Sequence, residues 1–270
     1  MPVDGLRRYE HIGPAYRERR RTRVVLMTAT VAPPQGAVAR ADPAIRLHDY
    51  GEAMEFYLSL PAERFDRVIL ADNSDSDLTP LCDSVARHNH DKRVELLSFQ
   101  ANDHSPTRGK AYGEFRLLDT ALSVSECLRP DDHVWKTTGR LRCLNLVALD
   151  AAIEREYCLV CDLFNVPYVR SGGWRDRGSI DLRLFRFQPG AYDRWFRNSH
   201  RDGPEPFDES LLYRVVLAAR KEAAVCPRFP IQPMIAGISG RTQRSYLSAS
   251  QRIKDTIRGV TRWVIPSLWL

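Results

Sequence analysis

VVLMTATVAP (Val24–Pro33) is a short, near-continuous apolar run closed by the Pro33-Pro34 pair. An apolar run of this length with a turn signal behind it fits a strand covered on both faces, and strands of that kind belong to parallel sheets whose crossover helices lie on each side. FDRVILADNSDSDLTPL (Phe65–Leu81) repeats the pattern and ends in a polar, acidic loop, and RVELLSFQ (Arg93–Gln100) reads as a third strand. Between them YGEAMEFYLSL (Tyr50–Leu60), stopped by Pro61, and LCDSVARHNH (Leu81–His90) carry helical spacing. The alternation predicts an α/β fold, a mainly parallel sheet flanked by helices. Ligands of such sheets sit beyond the carboxyl ends of the strands, which directs attention to the loops TATVAP, ADNSDSD and QANDHSPTRGK.

A chain of 270 residues that is 43% apolar holds one full-sized domain with a real core, alone or with a small appendage. The polar, Arg-rich residues 1–23 read as a flexible or surface-lying lead-in without the apolar segment of a secretory signal, so a cytoplasmic protein is expected. The folded domain is expected over 24–245 and a basic amphipathic C-terminal helix over 246–270. Six cysteines lie scattered among apolar neighbours, as packed reduced thiols do, and Cys158 and Cys161 read as part of a buried strand. Forty Lys plus Arg against thirty-four acids leave a net charge of +6, which implies an anionic partner: nucleic acid, a phosphorylated small molecule or an anionic membrane surface.

RGKAYGEFRLLDTALSVSECL (Arg108–Leu128) predicts a helix with Tyr112, Phe115, Leu118, Leu122 and Leu128 near one apolar stripe. Its start, Arg108-Gly109-Lys110, combines free N–H groups with full charges and suits an anion. DDHVWKTTGRLRCLN (Asp131–Asn145) then runs through a short strand into a loop bearing Lys136, Thr138 and Arg140.

The order of these parts, over about residues 24–145, resembles glycosyltransferases of the GT-A type. ADNSDSDLT resembles their acidic loop after the second strand, and YGEFRLLD, KTTGR and PMIAGISG (Pro233–Gly240) follow in the order seen in enzymes of bacterial capsule and lipopolysaccharide assembly. The resemblance implies a GT-A-like fold, a nucleotide-sugar donor, and Asp72, Thr28 and Thr30 near the nucleotide; otherwise Asp72, Asp75 and Asp77 form an ordinary solvated turn. It also implies a metal-binding Asp-x-Asp at Asp131–Asn145, where this chain is basic instead.

Sugar transfer from a nucleotide builds negative charge on the departing phosphate, which a metal or fixed cations must meet. Lys136 and Arg140, with Lys110 and Arg108, supply such cations, and Thr138 and the Gly139 N–H add hydrogen bonds. The expectation is therefore an enzyme that requires no cofactor and works without a divalent metal, or with only weak dependence on one. The alternative is that Lys136 and Arg140 pair with Asp131, Asp132 or Glu114 as structural ions.

In the second half, Trp174 in a Gly-rich loop suits stacking on a pyranose, or else folds over the core. Arg175, Arg177 and Asp181 suit an anionic acceptor, or pair together. An inverting transferase, the expected mechanism, needs a carboxylate base; the resemblance favours Asp208 or Glu209 at a helix start, with Asp181 as rival, although the helix dipole favours acids there in any protein. The tail places Ile253, Ile257, Val260 and Val264 four, three and four residues apart among basic residues. That pattern fits either a helix docked on the domain or one lying on an anionic surface at the inner face of the cytoplasmic membrane. The expected acceptor is a saccharide or a lipid-linked chain, with no nucleic acid as partner. A nucleotidyl- or sulfotransferase, or a basic nucleic-acid-binding protein, is the competing reading.

Overall fold

A computed structural model describes residues 3, 5–19, 23–165, 168–170, 173–175, 178–203, 206–240, 242–265, 268 and 269, apart from the side chains of 106, 110, 168–170 and 173–175. Strands β1 (Arg7–Ile12), β2 (Arg23–Ala29), β3 (Phe65–Asp72), β4 (Arg93–Ser98) and β5 (His133–Thr138) join three short ones, Leu159–Val160, Leu184–Phe187 and Val225–Cys226, in a single eight-stranded sheet. Its order is β1-β4-β3-β2-β5, then Leu184–Phe187, Leu159–Val160 and Val225–Cys226. The four central strands β4, β3, β2 and β5 are mutually parallel, while β1 and Leu184–Phe187 run antiparallel on either side of them. The expected α/β architecture, a mainly parallel sheet flanked by helices, is present.

The opening run explains the centre of this sheet. Val24 and Leu26 point to one face, into a cluster with Phe115 and Leu118 of helix α3 (Lys110–Val124). Val25 and Met27 point to the other, against Met54 and Tyr57 of α1 (Pro43–Leu58) and Val85 of α2 (Thr79–His88). All four β2 side chains are fully buried, each worth about 1.5–3 kcal/mol of removed apolar surface. A single Leu26→Asp change would set a charge where neither face admits water.

Two boundaries differ from expectation. Helix α1 starts at Pro43, not near Tyr50, because the Asp42 carboxylate accepts from the Ala44 and Ile45 N–H groups at 2.8 and 3.2 Å and Pro43 takes the first helical position. The lead-in over 1–23 is corrected more strongly: residues 7–12 are an edge strand. Across its ladder with β4, ions pair, Glu10 accepting from Arg93 at 2.6 Å and Arg8 lying 3.2 Å from Glu95, while Tyr9 packs on the core. A charged edge of this kind resists pairing with other chains.

The cysteines are all free, with Leu159–Val160 forming a strand between Cys158 and Cys161 as expected. The C-terminal helix runs from Ala249 to Val264. Among the described residues no helix is long and apolar enough to cross a membrane.

Candidate active site

Helices α1 and α3 cover opposite faces of the sheet, so the chain leaves β2 on one side and approaches β5 from the other. Adjacent carboxyl ends whose connections diverge leave a crevice between them. A cavity of about 650 Å³ opens there, lined by Thr28 and Thr30 at the end of β2, Thr138 and Arg140 at the end of β5, and Arg46 and Tyr50 of α1. Gly109, Gly113 and Glu114 close it from the start of α3, and the turn Pro33–Val38 from above, with Asn73, Asn102 and His104 at its edge. Each of the three loops singled out from sequence contributes to this wall.

Lys136 is not in it. The side chain is fully buried: its ammonium pairs with Glu114, donates to the Leu182 carbonyl and lies 5.7 Å above the Phe185 ring. Strand alternation sends Lys136 to the α3 face and Thr137 to the α1 face, where the Tyr57 hydroxyl donates to it at 3.2 Å. The expectation that Lys136 meets phosphate is therefore corrected to a structural ion pair. What reaches the pocket is the carboxylate it holds, Glu114, to which the Thr28 hydroxyl donates at 2.8 Å.

The Gly139 N–H is likewise engaged, donating to the Thr28 carbonyl at 2.8 Å. A Cβ at Gly139 would sit 2.8 Å from that oxygen and 3.2 Å from the Tyr50 ring. Glycine here lets the end of β5 close on β2; it does not present a donor to a ligand. Thr138 lines the pocket while its N–H donates to the Arg183 carbonyl at 2.9 Å.

Arg140 does line the pocket, and PMIAGISG is what positions it. The guanidinium donates to the Ile238 carbonyl at 2.8 Å, and a Cβ at Gly240 would lie 2.8 Å from its Nη2. Gly237, at φ +127°, passes so close that a Cβ would lie 2.7 Å from the Arg140 carbonyl. The Arg140 Nε is buried without a hydrogen-bond partner. Across the cavity, Arg46 is 4% exposed and donates to the Thr30 and Arg40 carbonyls and the Tyr50 hydroxyl, all neutral, at 2.5–3.0 Å. Burial lowers the Arg46 pKa below the ordinary guanidinium value, and Arg140 adds to the effect. Among the described residues neither arginine forms an ion pair. Sequence reading missed Arg46 because it lies in the first turns of a helix whose start was placed too late.

His104 was missed as well. It lies over Gly113, where a Cβ would stand 2.7 Å from the imidazole, and it packs 4.9 Å from the Tyr112 ring. Burial, helped by Arg116, holds its pKa below the ordinary histidine value, and its Nδ1 has no hydrogen-bond partner. The glycine of YGE was the available signal.

Other expected residues fall elsewhere. Asp72 is fully buried outside the lining; its carboxylate accepts from the Val31, Ser74 and Ser76 N–H groups and from the Ser74 and Ser98 hydroxyls, and so fixes the loops around the pocket rather than touching a nucleotide. Asp75 pairs with Arg7 and Asp77 accepts from Thr79. Arg108 packs over Tyr112 at 5.0 Å, outside the lining, although Gly109 beside it belongs to the wall. Lys110 begins α3, its side chain outside the described residues.

None of the three expected bases lines the cavity. Asp208 caps the Glu209–Ala219 helix, accepting from the Ser210 and Leu211 N–H groups and the Ser210 hydroxyl, and Glu209 occupies the first turn. Asp181 is taken by Arg183: burial by itself pushes the carboxyl pKa up, but the charge and hydrogen bonds of Arg183 together hold it below its ordinary value. The side chains of Trp174 and Arg175, in a Gly173–Arg175 strand paired with Tyr168–Arg170, lie outside the described residues, as does all of Arg177. Glu114 is thus the carboxylate in the lining, and among the described residues no cluster of His, Cys, Asp and Glu has the makings of a metal site. These side chains do not fit a divalent ion held between carboxylates.

No family model matches this sequence, and no curated protein does. Solved structures that superpose on it include 4-diphosphocytidyl-2C-methyl-D-erythritol synthase from Anaerococcus prevotii DSM 20548, at 11% identity and TM-score 0.49 over 88% of this chain and 95% of that one. The inositol-1-phosphate CTP transferase from T. maritima superposes at 14% identity and TM-score 0.46 over 87% and 95%. The bifunctional glycosyltransferase WbbM does so at 11% identity and TM-score 0.49 over 90% of this chain and 45% of that chain.

Proposed function

We propose that the chain is a glycosyltransferase that moves a sugar from a nucleotide-activated donor to a saccharide or lipid-linked acceptor in bacterial surface-polysaccharide assembly. The observation that carries the reading is the pair Arg46 and Arg140: two guanidiniums without a carboxylate partner, facing one cavity at a sheet switch point. Arg46 is buried and Arg140 half-buried with its Nε enclosed; a desolvated cation without a counter-charge is costly unless a ligand supplies one, and an anionic phosphate of a nucleotide is such a ligand. YGE and KTTGR bring Gly113, Glu114, Thr138 and Arg140 to this wall, PMIAGISG packs on Arg140 from behind through Gly237 and Gly240, and the meeting of the three motifs favours sugar transfer over other phosphate chemistry.

In this mechanism the bond from the sugar's anomeric carbon to the leaving phosphate oxygen breaks as the acceptor hydroxyl attacks. Arg140 and Arg46 meet the charge that develops on the phosphate, without a divalent ion. Inversion requires a base at the acceptor hydroxyl. We assign that role to Glu114, the carboxylate in the lining, with Lys136 and Thr28 fixing its position.

The test is a melting-temperature screen against UDP, CDP, CMP and GDP and their sugars, with and without Mn²⁺ or Mg²⁺. A nucleotide at a hundred times its Kd should stabilise by about 2.7 kcal/mol, a rise of about 5 °C or more. The rise is expected to survive chelator and to vanish in Arg140→Ala. A rise that needs metal removes the metal-free mechanism. A rise only with nucleoside triphosphates moves the assignment to nucleotidyl transfer, and no rise with any nucleotide overturns the reading.

A further inference from the structure

The C-terminal helix is docked through its polar side. Gln251, Asp255, Arg258 and Arg262, spaced four, three and four, form the stripe that faces the domain. Arg262, 8% exposed, donates to Asp162 at 2.8 Å, to the Phe229 carbonyl at 3.0 Å and to Gln232 at 2.9 Å, and the Arg258 guanidinium lies 5.1 Å above the Phe164 ring. The opposite stripe has the same spacing and is apolar and uncovered: Ile253, Ile257, Val260 and Val264 are 62, 52, 56 and 59% exposed, and Trp263 beside them is 87% exposed. A helix docked on its own core shows the reverse arrangement.

Neither end leaves the helix free to roll. The Tyr246 N–H donates to the Gly237 carbonyl at 3.0 Å just before it, and beyond it Trp269 and Asn165 exchange hydrogen bonds of 2.9 Å. Turning the apolar stripe inward would also strip Arg262 from Asp162 and leave a carboxylate buried without its partner.

We propose that this face docks on an anionic lipid bilayer, with the helix axis in the headgroup plane. Charge complementarity selects the occupant. At 100° per residue, the exposed Arg252 and Lys254 fall one on each side of the apolar stripe, where long basic side chains reach lipid phosphates while isoleucine, valine and tryptophan enter the acyl boundary. The helix contains one acidic residue, Asp255, on the docked side. A second copy of the chain would set these like-charged rims against each other. The surface does not depend on the reading of the pocket. It deepens that reading in one respect, because the chain runs from Gly240, packed on Arg140, to the helix start in nine residues, which brings the cavity near a lipid-linked acceptor.

The experiment is sedimentation of the full chain with vesicles of phosphatidylcholine alone or with phosphatidylglycerol added, at low and at raised salt. Binding is expected to the anionic vesicles, to be at least about tenfold weaker on neutral ones, and to weaken with salt. Ile257→Ser combined with Trp263→Ser should reduce it about tenfold or more, and Arg252→Glu or Lys254→Glu about fivefold each. Circular dichroism and melting temperature should stay at wild-type values, since these side chains are exposed. Absence of binding to anionic vesicles at low salt overturns the proposal, as does binding that ignores the double serine variant or a dimer that this variant abolishes while vesicles bind nothing. No readout involves a nucleotide, so its failure and that of the pocket assignment are distinguishable.

Discussion

Lys136 and Arg140 stand four residues apart in one motif and have opposite fates. Strand alternation alone gives them the same side, but β5 ends at Thr138, and Arg140 follows the turn into the cavity while Lys136 stays beneath α3. Lys136→Ala should therefore act on stability. Removing one partner of a pair whose carboxylate is 24% exposed should cost about 2–3 kcal/mol in urea unfolding. A variant that unfolds at wild-type urea concentration yet no longer binds nucleotide would return Lys136 to the ligand. His104 gives a second prediction. Its folded pKa lies below that of the unfolded chain, so the native state binds fewer protons; its stabilising contribution is complete above about pH 6.5 and is lost as pH falls through that value toward the folded pKa. By NMR the His104 ring should titrate below about 6.5, and a ligand phosphate nearby should move that midpoint upward. Titration at or above the ordinary value in the free protein would contradict the burial argument.

Among the elements, the junction of β2 with β5 carries the site. Thr28 contributes its carbonyl to Gly139 and its hydroxyl to Glu114, so one residue couples the strand ends to α3. Gly139→Ala forces a Cβ toward a backbone oxygen that has no freedom to move, and should cost about 1–3 kcal/mol by overpacking. Because the strand ends must part to admit it, the same variant should show a smaller nucleotide-induced rise in melting temperature than wild type. An unchanged rise would mean that the junction does not set the pocket geometry. The central strands and α3 were legible because apolar run and helical spacing coincide there. β1 was not, since an edge strand fastened by Arg8, Glu10, Arg93 and Glu95 leaves no hydrophobic pattern. Nothing local indicated that the Leu184–Phe187 strand would pair with β5 in the antiparallel sense.

Across the whole molecule, Arg67, Arg186 and Arg262 are buried against carboxylate partners, whereas Arg46 is buried without one. At the amino ends of the strands, Arg67 is matched by Asp132 at 2.6 Å, and Arg23 and Arg186 by Asp150 at 3.1 and 3.4 Å. At the carboxyl ends Arg46 and Arg140 have no such match, and it is there that the cavity opens. The net charge of +6 pointed to an anionic partner but not to a place. What the sequence by itself determined is the layered α/β architecture and the loops in which to seek a ligand, because hydrophobic periodicity and turn chemistry act over neighbouring residues. Which charges face that ligand and which cancel within the protein, and which stripe of the last helix meets the domain, were decided only by the tertiary structure. The reason is physical: the field at a side chain depends on partners such as Glu114 for Lys136, 22 positions away, or Asp162 for Arg262, 100 positions away, and folding alone brings them together.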